Sequence, residues 1–163
     1  MHGSGGNLEI NFGPAGDGRL PTAMVQPLLG TGRWLSINGQ SIYNTTGFPF
    51  GRNASECTAD VVGAPVAKCF TQGKDGSIYV IYLNWPTVAG SSPHTAAVSL
   101  DHLIPTPTTT VTLLGSEATV IKTSGGKGSA FVFEVPNLSP AALRCELDLC
   151  HAFVFKITHA SNP

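Results

Sequence analysis

Charged residues are scarce. Only 12% of the 163 positions are Asp, Glu, Lys or Arg, about half the roughly 25% of an ordinary soluble domain. The nine Lys and Arg residues nowhere cluster, and the net charge is −1. A nucleic-acid surface needs a basic patch, and a lipid-surface helix needs a cationic face. Neither nucleic acid nor membrane is therefore an expected partner. No apolar run approaches the ~20 residues of a membrane-spanning helix. There is no CxxC pair and no histidine at finger spacing, so a zinc framework is not expected. Residues 1–6 lack the apolar core of a secretory leader. Length is short as well: 163 residues cannot make a (β/α)8 barrel of about 250.

Turn formers, by contrast, are abundant. The 19 glycines and 12 prolines make up about 19% of the chain against a usual sum of about 12%. At 42% hydrophobic residues the chain is too apolar for disorder. It is too rich in helix breakers for a helical bundle. The length fits one domain, or a small domain with part of another.

The four cysteines fall as two close pairs, Cys57 with Cys69 and Cys145 with Cys150. Four cysteines permit three disulfide connectivities, and the spacing does not choose among them. Asn44-Thr45-Thr46, Asn53-Ala54-Ser55 and Asn137-Leu138-Ser139 are acceptor sequons for N-linked glycan. Sequons and paired cysteines together favour an oxidising compartment. A secretory protein of this sequence is then expected to begin upstream of Met1.

Residues 7–12 alternate polar and apolar, which predicts a short strand. Gly13-Pro14 and Asp17-Gly18 end it. Met24, Leu28 and Leu35, with Val25, Leu29 and Trp34 beside them, predict a helix between Pro21 and Ile37. Asn38-Gly39 should cap it, and Pro27 should kink it or mark its first turn. Residues 44–66 read as loop. A hairpin follows: Ala67–Thr71, a turn at Gly73-Lys74-Asp75-Gly76, then Ser77–Trp85. In the second strand Tyr79, Ile81, Leu83 and Trp85 face one way, and Val80, Tyr82 and Asn84 the other. Strands are also expected at 96–100, 109–114, 119–123, 129–135 and 151–158. The prolines at 105 and 107 mark the 109–114 strand, or its lead-in, as an edge. Short strands punctuated by turns predict an antiparallel β-sandwich over 44–163, preceded by one β/α unit over 1–43. The fold class is mainly β.

A family resemblance appears in these blocks. Residues 5–14 (GGNLEINFGP), then Asp17-Gly18 and Leu20-Pro21, resemble the last barrel strand of family 29 α-L-fucosidases. Residues 32–43 (GRWLSINGQSIY), 80–86 (VIYLNWP), 111–115 (VTLLG) and 153–158 (FVFKIT) resemble later segments of the same family, in the same order. Glu9, in a barrel-strand position, and Gln40, where the family has Glu, depart from the pattern, as does Pro27. Residues 44–70 and 138–150 match poorly. The resemblance implies a catalytic (β/α)8-like barrel followed by a β-sandwich. This chain would hold the last barrel strand and helix, left from that barrel, and then the sandwich. It implies retaining hydrolysis of α-L-fucosides by the longer protein, which needs two carboxylates about 5–5.5 Å apart. In the family these lie in barrel segments that precede the region matched, so no catalytic residue is carried over and this chain alone is expected to be inactive. The implied partners are the missing barrel and, through it, a fucosylated glycan. The implied compartment is lysosomal or extracellular. No cofactor or metal is expected, and a homo-oligomer is left open.

Other residues invite functional readings with simpler alternatives. Asp17 lies where a barrel would place chemistry, but a glycine-flanked Asp is usually a turn former. Glu9 is expected to face solvent or a missing neighbour. Asp101-His102 lacks a nucleophile-elbow serine. His2, His94, His151 and His159 have no ligand spacing. Glu146 and Asp148 could take calcium, although solvated loop charge is the simpler reading. Trp34, Tyr79 and Trp85 could stack on sugar, but their register reads as core. The competing functional readings are a free-standing non-catalytic sandwich that binds carbohydrate or protein, and a vestigial product. A binding sandwich should show an exposed aromatic platform.

Overall fold

Proline decides where the helix starts. Pro21, at φ −56° and ψ 140°, stands as the N-cap of α1 (Thr22–Asn38) and offers no capping side chain. Pro27 lies inside α1 rather than at its first turn. It removes one backbone donor from the ladder, the one that would reach the Ala23 carbonyl; separately, the Thr31 hydroxyl donates to the Pro27 carbonyl at 2.8 Å. These coordinates come from a computed structural model that describes residues 6–47, 68–83, 85, 96–100, 103–116, 123–124, 131–135 and 152–160.

Gly39 does not cap the helix in the left-handed way expected. Its φ is −58°, and the chain tightens into a 3-10 turn over Gly39–Ser41. A Cβ there would lie 2.9 Å from Tyr43 Cε2, so the exposed Tyr43 ring would have to shift to admit a larger residue.

The strand expected at 7–12 is absent. Residues 6–15 form neither helix nor strand, and Leu8 and Ile10 are 68% and 50% exposed. A strand needs a hydrogen-bonded neighbour, and among the described residues this segment has none.

The remaining elements build two antiparallel sheets. The larger has the order β1 (Thr45–Gly47), β2 (Lys68–Gly73), β3 (Ile78–Tyr82), β8 (Phe153–Thr158), β5 (Thr110–Leu113). The smaller has the order β4 (Ala96–Leu100), β7 (Phe131–Val135), β6 (Thr123–Ser124). The β2–β3 hairpin is as the turn chemistry predicts. Gly73 N–H donates to Ser77 O at 2.8 Å, and Gly76 takes φ 81°. β5 lies at the end of the sheet order, and Pro105 and Pro107 fall in its lead-in. β1 falls in a region read as loop, because three residues with a glycine carry no alternation. The expected strand at 119–123 appears only as Thr123–Ser124, since residues 117–122 are outside the described set.

The main core lies between the sheets. Phe70, Ile78, Val80, Val111, Phe155 and Ile157 from the larger sheet meet Phe131, Phe133 and Val135 from the smaller. A second cluster covers the outer face of the larger sheet. There Tyr79, Ile81 and Val154 pack with Cys69, Leu114 and Ala152, and Trp34 and Ile42 lie over them. Covered on both faces, β3 is buried at all five positions. Trp85 leaves the expected alternation: the strand ends at Tyr82, and the indole packs edge-on against Phe153 at 4.8 Å in the inner core.

Candidate functional site

The first candidate is Asp17, which lies in a turn. Ala15 N–H donates to Arg19 O at 2.8 Å, Gly18 N–H donates to Ala15 O at 2.9 Å, and Gly18 has φ 80°. Asp17 Oδ1 accepts the Arg19 backbone N–H at 3.1 Å, while Oδ2 lies 3.9 Å from Arg19 Nε. The Arg19 and Asp17 side chains are 88% and 61% exposed. The carboxylate therefore closes its own turn, and an ion pair so exposed contributes under about 1 kcal/mol. Glu9 and Glu134 are exposed as well.

The densest polar cluster sits where the β2–β3 turn, β8 and the end of α1 converge. Ser77 donates to Asp75 twice, through its backbone N–H at 3.0 Å and its hydroxyl at 2.9 Å. Lys156 Nζ lies 3.8 Å from Asp75 Oδ2 and donates to Gln40 Oε1 at 3.3 Å. Tyr79 donates its hydroxyl proton to the same Gln40 oxygen at 3.4 Å, and the Lys156 ammonium lies 5.7 Å from the Tyr79 ring centroid. The Ser77 backbone N–H foremost, then the Ser77 hydroxyl and the Lys156 charge, hold the Asp75 carboxyl below its usual 3.8. That direction suits a structural anion, whereas a general acid needs a raised pKa.

Residues that read as sugar platforms are core. Trp34 is half-buried, and its Nε1–H donates to Ala152 O at 2.9 Å. Tyr79 is 3% exposed. Among the described residues Tyr43, at 60%, is the large aromatic that stands out into solvent. His159 takes φ 56°, and its carbonyl accepts the hydroxyls of Thr106 and Thr109 at 2.6 and 2.8 Å. This polar lock ties the turn before β5 to the end of β8, and no sequence motif announces it. The same holds for Thr71, whose buried hydroxyl donates to Ser41 O at 2.7 Å and fastens β2 to the 3-10 turn.

Cys69 is disulfide-bonded. Cys57, Cys145 and Cys150 lie outside the described residues, as do Asn53, Asn137, the Asp101-His102 pair, Glu146, Asp148, His2, His94 and His151. Asn44 is described: it is exposed, in a turn, with φ 56°. No helix among the described residues is long and apolar enough to cross a membrane.

Comparison with known proteins gives the geometry its context. No family model matches the chain. Tissue α-L-fucosidase of Homo sapiens is 30% identical over 154 residues, 94% of this chain and 28% of the relative. The Bos taurus protein of the same name is 32% identical over the same shares. The α-L-fucosidase of Branchiostoma floridae is 31% identical over 87% of this chain and 28% of its own length. The chain thus spans under a third of the curated relatives it matches. Among solved structures, a Thermotoga maritima α-fucosidase superposes with a TM-score of 0.60 at 24% identity, over 93% of this chain and 30% of its own. A family 29 α-L-fucosidase from Bacteroides thetaiotaomicron gives 0.55 at 18%, over 90% and 27%. At these identities the structural matches speak to fold. They support the mainly β architecture. Sequence and fold together make the chain a relative of family 29 α-L-fucosidases, matching a C-terminal part of such a protein.

Proposed function

We infer that the chain is the C-terminal part of a retaining α-L-fucosidase, and that hydrolysis belongs to the longer protein. One observation carries this reading: 94% of the chain aligns with α-L-fucosidases, yet it accounts for only 28% of their length. In this reading residues 1–43 complete a catalytic (β/α)8-like barrel and residues 44–163 form the sandwich beside it. The two catalytic carboxylates come from barrel segments before residue 1, and the substrate is a fucosylated glycan.

The surface of the first unit supports that assignment. Leu8, Ile10, Leu20, Met24 and Leu29 are exposed by 37–68%. A barrel strand is buried on both faces, so neighbouring barrel elements would cover these side chains. The disulfide at Cys69 supports a lysosomal or extracellular compartment. A free-standing sugar-binding sandwich is less well supported, because the described sheets present no platform of exposed aromatics.

The test has two arms. Chain 1–163 is assayed with an aryl α-L-fucoside; no turnover is expected. Turnover abolished by Asp17→Asn would overturn the reading. The coding sequence upstream of Met1 is then determined, and the longer product is assayed by NMR for the anomer first released. The α-anomer is expected, and an upstream sequence without barrel strands refutes the proposal.

A further inference from the structure

The turn before β5 carries a modification signal that the fucosidase reading leaves unused. Residues 105–112 read Pro-Thr-Pro-Thr-Thr-Thr-Val-Thr. Threonine interleaved with proline is the composition of O-glycosylated segments. Composition alone does not choose among the five hydroxyls of this run. Their hydrogen bonds do.

Thr106 and Thr109 close the turn. Thr109 N–H donates to Thr106 O at 3.0 Å, and Thr106 N–H donates to Thr109 Oγ1 at 2.7 Å. Pro107 takes the second position, which suits its fixed φ, and Thr108 takes the third. A hydroxyl has one proton to give. Thr106 and Thr109 both spend theirs on His159 O, at 2.6 and 2.8 Å. In the 3.1 Å contact between the hydroxyls of Thr106 and Thr108, the donor is therefore Thr108. Thr110 is half-buried and shares a hydrogen bond with the Thr158 hydroxyl at 2.6 Å, and Thr112 is half-buried in β5. Of the five, Thr108 alone is exposed, and its oxygen accepts no hydrogen bond among the described residues. An independent observation concerns the compartment. Cys69 is disulfide-bonded, and disulfides form along the secretory route on which O-linked sugars are added.

We propose that Thr108 is an O-glycosylation site that takes N-acetylgalactosamine from a nucleoside diphosphate sugar. Thr108 Oγ1 forms a bond to the anomeric carbon as the bond from that carbon to the diphosphate oxygen breaks. The nucleoside diphosphate leaves with the electron pair, and the hydroxyl gives its proton to a base. Nothing is oxidised or reduced. Modification at Thr108 gives up only the contact with Thr106 and leaves both bonds to His159 O in place. Modification at Thr106 or Thr109 would break one of those bonds. The secretory compartment is the one premise shared with the fucosidase reading, and hydrolysis by the longer protein plays no part.

The test places chain 1–163 behind a cleavable leader in animal cells and recovers it from the medium. Trypsin, with a protease that cuts before Asp, releases peptide 101–122. Mass spectrometry is expected to find it heavier by one N-acetylhexosamine, or by a chain built on one. Electron-transfer fragments ending at Pro107 should lack that mass, and fragments ending at Thr108 should carry it. Thr108→Ala should abolish the gain, and Thr108→Ser should retain it. A second arm removes any dependence on secretion: the folded chain is incubated with a Golgi-membrane extract and uridine diphosphate N-acetylgalactosamine. Thr108 is again the residue expected to be labelled. Unmodified 101–122 from secreted chain or, where none is secreted, from the extract overturns the site. Sugar confined to another residue of the peptide does the same. A hexose, a deoxyhexose or a phosphate on Thr108 refutes the assigned donor.

Discussion

Replacing Tyr82 by Phe should stabilise this protein. Tyr82 is 3% exposed in the inner core, and its ring meets Phe155 edge-on at 5.8 Å and 84°. Its hydroxyl is buried without a hydrogen-bond partner. An unpaired buried polar group costs about 1–3 kcal/mol in lost hydration. Phe keeps the ring and its contact with Phe155 and removes the unpaired oxygen. The void left is smaller than a methyl group, whose loss costs about 1 kcal/mol. The net gain is then about 1–2 kcal/mol. For a chain of this size each kcal/mol moves Tm by about 2–4 °C, so an increase of roughly 2–8 °C is expected by calorimetry. A second signature comes from titration. Burial pushes the Tyr82 phenol well above its ordinary 10.0. The folded state therefore keeps the proton while the unfolded state loses it, so the wild-type chain loses stability as pH rises past the unfolded value. Phe has no such proton. The advantage of Tyr82→Phe should thus be constant below the unfolded value and widen at about pH 11. A Tm that stays level or falls would show that the hydroxyl is satisfied, and an advantage that does not widen with pH would show that it is hydrated. Either result would refute the reasoning.

Gly115→Ala should destabilise by about 2–4 kcal/mol, combining the left-handed backbone with overpacking. Gly115 has φ 83°, and its Cβ would lie 2.7 Å from Ile37 Cγ2. Urea denaturation should show Ile37→Ala relieving the clash but not the backbone cost when the two changes are combined. Asp75→Asn should flatten the acid limb of the stability curve. The folded carboxyl titrates below 3.8, so its contribution is present above that value and is lost as pH falls through the folded one. An Asp75→Asn curve parallel to wild type between about pH 5 and 2 would count against that assignment.

The hairpin, the helix and the main strands were legible because each had a local cause. Gly73-Lys74-Asp75-Gly76 supplies a turn whose geometry is set within four residues, and Ile78–Tyr82 is apolar throughout. Three features had no local cause. Residues 7–12 have the alternation of a strand, yet a strand is a relation between segments, and no described segment pairs with it. β1 is defined by its pairing with β2 rather than by its own composition. Trp85 continues the β3 alternation on paper, but its ring is drawn inward by Phe153 and Phe155. The candidate site follows the same division. Asp17 and Asp75 each form turns that their neighbours foretell. The convergence of Gln40, Asp75 and Lys156 joins positions far apart in sequence, and no spacing rule could have brought them together.

The passage from helix to β structure near residue 43 looks like a domain boundary, and the packing gives reason to expect that it is not an independent one. Trp34 and Ile42 lie over Tyr79, Ile81 and Val154, and Trp34 bonds Ala152 O across 118 positions of sequence. Removing residues 1–43 would take away that cover and leave the carbonyl of Ala152 without this donor. Full burial of side chains of this size contributes about 1.5–3 kcal/mol each, and uncovering even part of three of them would create a contiguous apolar patch on the outer face of the larger sheet. A patch of that kind drives association. Chain 44–163 is therefore expected to self-associate in analytical ultracentrifugation. Chain 21–163 keeps α1 and drops a segment whose described residues, 6–20, form neither helix nor strand, and it should be better behaved. Within α1 the exposed Met24 and Leu29 lie in the first half, while Trp34 and Ile37 lie in the second. The helix thus faces two ways along its length, with its later turns committed to the sandwich. A monodisperse 44–163 monomer with the stability of the whole chain would refute this account and restore the boundary at residue 43.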